Sequence, residues 1–183
     1  FAVTAMAPAA WGLTYLATTE LLPPGRPLLA GAARALCAGC LLFAVAPRLP
    51  RGEWWFRALV LGLLNVGAFF AFLFVAAYRL PGGVAAMLGS VQPLLVAALA
   101  VVLLSERISA RTIIAATLGI AGVSLLVLRT DARLDMIGIL AGLGAAVSAA
   151  TGTVLAKRWR PAVPLSTFTA WQLLVGGLAL APL

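Results

Sequence analysis

Gly82-Gly83-Val84-Ala85-Ala86-Met87-Leu88-Gly89-Ser90-Val91-Gln92-Pro93-Leu94-Leu95 opens an apolar run that continues to Leu104 and is interrupted at its centre by Ser90, Gln92 and Pro93. The polar stretch Ser105-Glu106-Arg107-Ile108-Ser109 ends it, and a second apolar run, residues 112–128, follows at once. Each is about as long as the ~17–25 residues that a helix needs to cross a bilayer core. Pro93 has no N–H, so the carbonyl of Gly89 one turn earlier loses its helical partner and the helix is predicted to kink. In hydrocarbon such a carbonyl must be met by a neighbouring helix, a side chain or water. A kink, a free carbonyl and an amide at mid-membrane depth suit a solute path better than a simple anchor.

Composition agrees with this reading. Of the 183 residues, 63% are hydrophobic and only 10% are charged, and the mean hydropathy is +1.10. Soluble domains are about half apolar and about a quarter charged. The net charge of +8 raises a nucleic-acid partner, but the basic residues fall in short clusters between apolar runs. That is the pattern of loops at a membrane face, and it argues against DNA or RNA. The expected partners are therefore the lipid bilayer and a small-molecule solute; a homodimer is compatible with the sequence.

Seven apolar runs follow one another, at residues 1–18, 27–46, 54–78, 82–104, 111–128, 136–156 and 166–183. None alternates with period two, so the expected fold class is all-α: an integral membrane, multi-span helical bundle rather than a barrel. Short connections carry the turn formers, among them Pro23-Pro24-Gly25, Pro47-Arg48-Leu49-Pro50 and Pro161-Ala162-Val163-Pro164. The chain opens on an uncharged apolar run and stops inside one, which reads as a piece of a longer membrane protein with its last helix truncated.

Basic residues set the orientation. Odd-numbered connections hold Arg26, Arg79, Arg129 and Arg133; even-numbered ones hold Arg48, Arg51, Arg57, Arg107, Arg111, Lys157, Arg158 and Arg160. The richer side is expected in the cytoplasm, which starts the first helix there, in a plasma membrane of bacterial inner-membrane type. An internal echo adds topology. Ala10-Trp11-Gly12-Leu13-Thr14 resembles Ala150-Thr151-Gly152-Thr153-Val154, and Arg34-Ala35-Leu36 with Gly39 lines up with Gln172-Leu173-Leu174 with Gly177. The offset is five helices, so the copies are inverted, as in transporters whose binding site lies between repeats near the midplane.

The segment from Asn65 to Leu128 also carries a family resemblance. Its Arg79-Leu80-Pro81-Gly82-Gly83-Val84-Ala85-Ala86, Gln92-Pro93-Leu94-Leu95, Ser105-Glu106-Arg107-Ile108 and Gly119-Ile120-Ala121-Gly122-Val123 resemble the EamA-type transporters of the drug/metabolite transporter (DMT) superfamily. Thr169-Ala170-Trp171-Gln172-Leu173 resembles their seventh helix. Ser105 stands where that family usually has Gly. The resemblance implies a ten-helix permease of two inverted five-helix repeats, residues 1–129 forming the first and 134–183 beginning the second. It implies a carrier for small metabolites, amino acids among them.

Candidate solute contacts are Trp11, Tyr15, Arg34, Asn65, Ser90, Gln92, Trp171 and Gln172. Gln92 and Ser90 flank the Pro93 kink; helix–helix hydrogen bonding competes with a cavity role for both. Asn65 is the one strongly polar residue midway along the third run, and an amide there is expected to face inward. Trp11 and Tyr15 share a helix face, although Tyr15 also fits an interfacial belt, where Trp54, Trp55 and Tyr78 are placed. Arg34 either snorkels to the interface or faces the cavity and attracts a carboxylate. Pro93, Glu106 and Arg107 are read as structural or gating residues, Glu106 fixing the turn by pairing with its basic neighbours Arg107 and Arg111.

Other classes find less support. The chain has no His, no clustered acids and no Gly-rich phosphate loop, so an enzyme, a cofactor or a metal site is not expected. Cys37 and Cys40 lie inside a spanning run and are read as small packing residues. Gly138, Gly142, Ala146 and Ala150, like Gly31, Ala35 and Gly39, recur every four residues and are expected to let helices approach closely. A channel or structural scaffold is the alternative function; neither requires the central polar cluster or the inverted echo.

Overall fold

A computed structural model describes residues 27–106, 110–128 and 135–182. Trp11, Tyr15, Arg107 and the first expected helix lie outside them. Among the described residues the chain is helical throughout: α1 (Pro27–Val45), α2 (Trp54–Gly62), a π-helical turn (Leu63–Ala68), α3 (Phe69–Arg79), α4 (Gly82–Gly89), α5 (Gln92–Leu104), α6 (Ala110–Leu128), α7 (Met136–Arg158) and α8 (Leu165–Leu180). Together α2, the π turn and α3 form one element, Trp54–Arg79, which like Met136–Arg158 is long and apolar enough to span a bilayer.

The expected runs are all present in the described part, with two refinements. The third run is not one regular α-helix, because six residues in its middle widen into the π turn. The fourth run is divided rather than merely bent: α4 stops at Gly89 and α5 restarts at Gln92, with Pro93 in its first turn. Proline is at home there, since the first-turn N–H groups have no intrahelical acceptor.

Helix ends follow local chemistry. Extended Leu80 ends α3, because a residue before proline (Pro81) is disfavoured in the helical region. At the end of α5, Ser105 takes a left-handed conformation (φ 55°), the one non-glycine with positive φ among the described residues. Glycine usually fills this terminating position, which gives a physical reason for the family preference noted above. Asp135 caps α7 by accepting from the backbone N–H of Ile137 at 2.8 Å and of Gly138 at 3.4 Å.

Two helices carry the packing. α8 lies most extensively along α1 and also covers the π turn and α2, while α7 contacts α3, α4, α5 and the π turn. Both succeed because they present small residues. A Cβ added to Gly177 would stand 2.8 Å from Leu36, one on Gly39 would stand 3.1 Å from the backbone N of Leu174, and one on Gly62 would stand 2.7 Å from Val175. On α7, Gly138 and Gly142 sit against Leu80 and Leu88. Every member of the two small-residue stripes read from the sequence is buried. By contrast, α6 packs only thinly on α4 and α5. Large apolar side chains such as Leu41, Val102, Leu118, Leu125 and Leu178 point outward, as a lipid-facing surface requires.

The cysteines need a correction. Cys37 and Cys40 are free thiols on the exposed side of α1, not packed between helices. The stripe Gly31–Ala35–Gly39 faces α8, and at ~100° per residue Cys37 falls on the opposite side.

Candidate functional site

The polar interior is built around the π turn. Widening a helix to π geometry disturbs its backbone ladder, and such turns gather at functional sites. Here the carbonyl of Leu64 accepts a hydrogen bond from Ser148 Oγ of α7 at 2.8 Å. One residue on, Asn65 Nδ2 donates to Gln172 Oε1 of α8 at 2.7 Å, and Gln172 Nε2 donates to the Phe168 carbonyl at 3.3 Å. Gly152 of α7 lies directly beside the Asn65 carboxamide, which a Cβ at that position would overlap.

Depth gives this cluster its meaning. Asn65 is the twelfth of 26 residues in Trp54–Arg79 and Ser148 the thirteenth of 23 in α7. Both sit near the half-length of their helices, and the bond to Asn65 places Gln172 at the same depth. Asn65 and Gln172 are half-buried, and no fully buried side-chain nitrogen or oxygen lacks a partner among the described residues. Two amides offer four N–H donors and two acceptors. Two of those donors and one acceptor are used in the two bonds just given. Asn65 Oδ1 and an N–H on each amide remain for another polar group.

The other candidates are spread more widely. Trp171 is 5% exposed, in an apolar cluster with Ala58, Leu61 and Phe168. Its indole N–H donates to the Arg48 carbonyl at 2.7 Å, and its ring lies 6.2 Å from that of Trp54. Gln92 is half-buried at the start of α5, and Ser90 and Pro93 are exposed at the helix break. Pro93 and Glu106 line a cleft of about 270 Å3 with Thr112, Thr153 and Lys157. Arg34 is exposed on α1 and is not brought to Gln172. The structure thus joins Asn65 with Gln172, and Pro93 with Glu106, and leaves Arg34 apart.

Two ion pairs fall at the ends of α7. Glu106 pairs with Lys157, a partner from a distant helix; Arg107 and the side chain of Arg111, the neighbours expected for it, lie outside what the structure describes. Arg79 Nη1 donates to Asp135 Oδ2 at 2.8 Å. That guanidinium first, and the Ile137 N–H next, hold the Asp135 carboxyl below its ordinary value of 3.8. Sequence reasoning missed Ser148 and Lys157. Ser148 carried the same signal as Asn65, a polar residue midway along an apolar run.

Comparison with known proteins settles the lineage. Residues 2–128 match the model of the EamA-like transporter family. The chain belongs to that family. It is 47% identical over 178 residues to Protein PecM of Dickeya dadantii (strain 3937), an alignment covering 96% of this chain and 60% of that protein. It is 32% identical to the uncharacterized transporter YvbV of Bacillus subtilis (strain 168), covering 93% and 57%. It is 33% identical to the WAT1-related protein At3g02690, chloroplastic, of Arabidopsis thaliana, covering 93% and 43%. The chain therefore spans about 60% or less of the length of these curated relatives. No solved structure matches it. Family and fold together make this a multi-pass helical membrane protein of the DMT superfamily, as its motifs implied.

Proposed function

We propose that the protein is a secondary permease that moves a small amphipathic metabolite, an amino acid or similar solute, by alternating access. The observation that carries the reading is the Asn65–Gln172 amide pair, half-buried at mid-helix depth with hydrogen-bonding capacity unused. A lone amide in hydrocarbon is costly and marks a functional position; two amides that bond each other and still present a donor and an acceptor suit a zwitterionic or polar head. The naming of YvbV as a transporter supports the same direction.

In this reading residues 1–129 form a first five-helix repeat and residues 134–183 begin a second, inverted one. The family match, ending at residue 128, supports that division. Asn65 from the first repeat and Gln172 from the second then meet across the repeat interface, where inverted-repeat carriers hold their solute. The connections bearing Arg48, Arg51, Lys157 and Arg158 lie in the cytoplasm, following the basic-residue rule. Gln92 and Ser90 at the helix break, Trp171 beside Gln172, and Trp11, Tyr15 and Arg34 remain second-rank contacts. Catalysis has no part in this function.

The test is flux. Protein reconstituted in vesicles is assayed for uptake of a radiolabelled amino-acid panel, with Asn65→Leu and Gln172→Leu as variants. Saturable flux that falls at least about tenfold in both variants, the effect of ~1.4 kcal/mol, supports the site. Wild-type flux in correctly inserted variants would remove the amide pair from it.

A further inference from the structure

A second site lies at the end of the bundle that carries the α1–α2 and α7–α8 connections. A cleft of about 760 Å3 opens there between residues 47–54 and 161–163, with Trp171 at its base. One wall is aromatic: the rings of Trp54 and Trp171 lie 6.2 Å apart. Its rim is cationic, formed by the exposed side chains of Arg48 and Arg51.

Among the described residues nothing neutralises these two arginines. Arg57, at the same end, pairs with Glu53 and lies 5.1 Å from the centre of the Trp54 ring and 5.7 Å from that of Trp159. Lys157 pairs with Glu106. Among the described residues Arg48 and Arg51 form no ion pair and no side-chain hydrogen bond. Yet the rim is held in place from beneath. The buried Thr167 hydroxyl donates to the Ala46 carbonyl at 3.2 Å, and the Trp171 indole N–H donates to the Arg48 carbonyl. Those carbonyls follow the end of α1, where helix geometry supplies no partner. Two unneutralised guanidiniums carried on this anchored backbone over an indole wall are complementary to an oxyanion attached to an apolar body.

We infer that this cleft binds such an amphipathic oxyanion, separately from the mid-helix amide pair. The oxyanion has two natural sources, the phosphate of an anionic lipid and a free anion from solution. Trp171 and Gln172 are adjacent, so their side chains diverge by ~100° around α8, and loss of one site need not remove the other.

The experiment is native mass spectrometry of the protein in a neutral detergent. Phosphatidylglycerol, phosphatidylcholine and inorganic phosphate are the probes. Wild type is expected to retain phosphatidylglycerol over phosphatidylcholine. The double variant Arg48→Gln/Arg51→Gln should retain about thirtyfold less, equivalent to ~1 kcal/mol for each basic residue at an anionic surface. Arg158→Gln/Arg160→Gln, which removes the same charge outside the cleft, should leave retention much closer to wild type. Competition by inorganic phosphate would assign the source to a free anion; retention that phosphate does not disturb would assign it to lipid. Equal losses in the two double variants, or no preference for the anionic lipid and no phosphate binding in wild type, would overturn the inference. Should the first double variant fail to fold, Arg51→Glu alone, at an exposed loop position, carries the same expectation.

Discussion

Substituting Gly152 by alanine tests whether the Asn65–Gln172 pair is placed as described. A Cβ there would stand 2.6 Å from Asn65 Cγ and 3.0 Å from Nδ2, with Oδ1 nearer still. Contacts that short do not survive, so the carboxamide must rotate away from Gln172 or the π turn must shift. Overpacking of this kind costs about 1–3 kcal/mol. Loss of the interhelical hydrogen bond adds about 0.6 kcal/mol. Replacing glycine by alanine inside a helix returns up to about 1 kcal/mol. The net expectation is a destabilisation of about 0.5–3.5 kcal/mol. Unfolding in mixed dodecyl maltoside–SDS micelles measures it, with two references. Gly119→Ala on α6, where nothing lies within 4 Å of the added carbon, should be neutral or stabilising. Gly152→Ala in an Asn65→Ala background should also be neutral or stabilising, because the obstruction is gone. The cycle then gives a coupling of about 1.5 kcal/mol or more. The same cost in both backgrounds, or a Gly152→Ala protein as stable as Gly119→Ala, would refute the geometry.

Three further expectations follow from individual contacts. Thr167 is fully buried and its hydroxyl satisfies the Ala46 carbonyl, so Thr167→Val should cost about 0.6–1.7 kcal/mol in the same unfolding assay. Ser105→Gly should stabilise by about 0.5–1 kcal/mol, since the left-handed conformation at φ 55° penalises a side chain and not glycine. Asp135 titrates below 3.8 in the folded protein, so its contribution is complete above that value and is lost as pH falls through the lowered folded pKa. Thermal midpoints should therefore hold down to about pH 4 and fall below it, and Asp135→Asn should flatten that acid limb.

The spans were legible because burying a backbone in lipid demands long apolar runs, and those survive any detail of tertiary packing. The small-residue stripes were legible for a similar reason: glycine and alanine every four residues on α7 and α1 can serve close approach and little else. Asn65 stood out as an amide in hydrocarbon. Its partner did not. Gln172 was singled out by its alignment with Arg34, not by any sign that it would reach Asn65. The stripe also bears on the two readings of Arg34: it stands ~100° from Ala35 around α1, Ala35 faces α8, and the exposed placement of Arg34 is the one that snorkelling requires. The π turn left no mark, since Leu-Leu-Asn-Val-Gly-Ala is ordinary helical sequence until Gly176 and Ser148 are brought against it. Likewise, no local spacing pointed from Glu106 to Lys157, and only the packing of α5 on α7 delivers that partner.

The irregular backbone and the small residues belong to a single arrangement. Both departures from regular helix, the π turn at 63–68 and the break at 90–91, lie in elements that lean on α7, an unbroken helix of 23 residues. A widened turn inside hydrocarbon must keep its carbonyls hydrogen-bonded, and a neighbouring helix can supply donors to them. Ser148 does so for Leu64, and it can only because the α7 face around it is small: Gly144 meets Phe72, Gly142 meets Leu88 and Gly152 meets Asn65. Bulkier residues at these positions would hold α7 away and leave Leu64 without its donor. The element would then favour the regular α geometry that needs no outside partner, and Asn65 would turn by up to ~100° relative to the residues before the turn. The amide pair at mid-depth is therefore a consequence of glycine on α7 as much as of asparagine on the π turn.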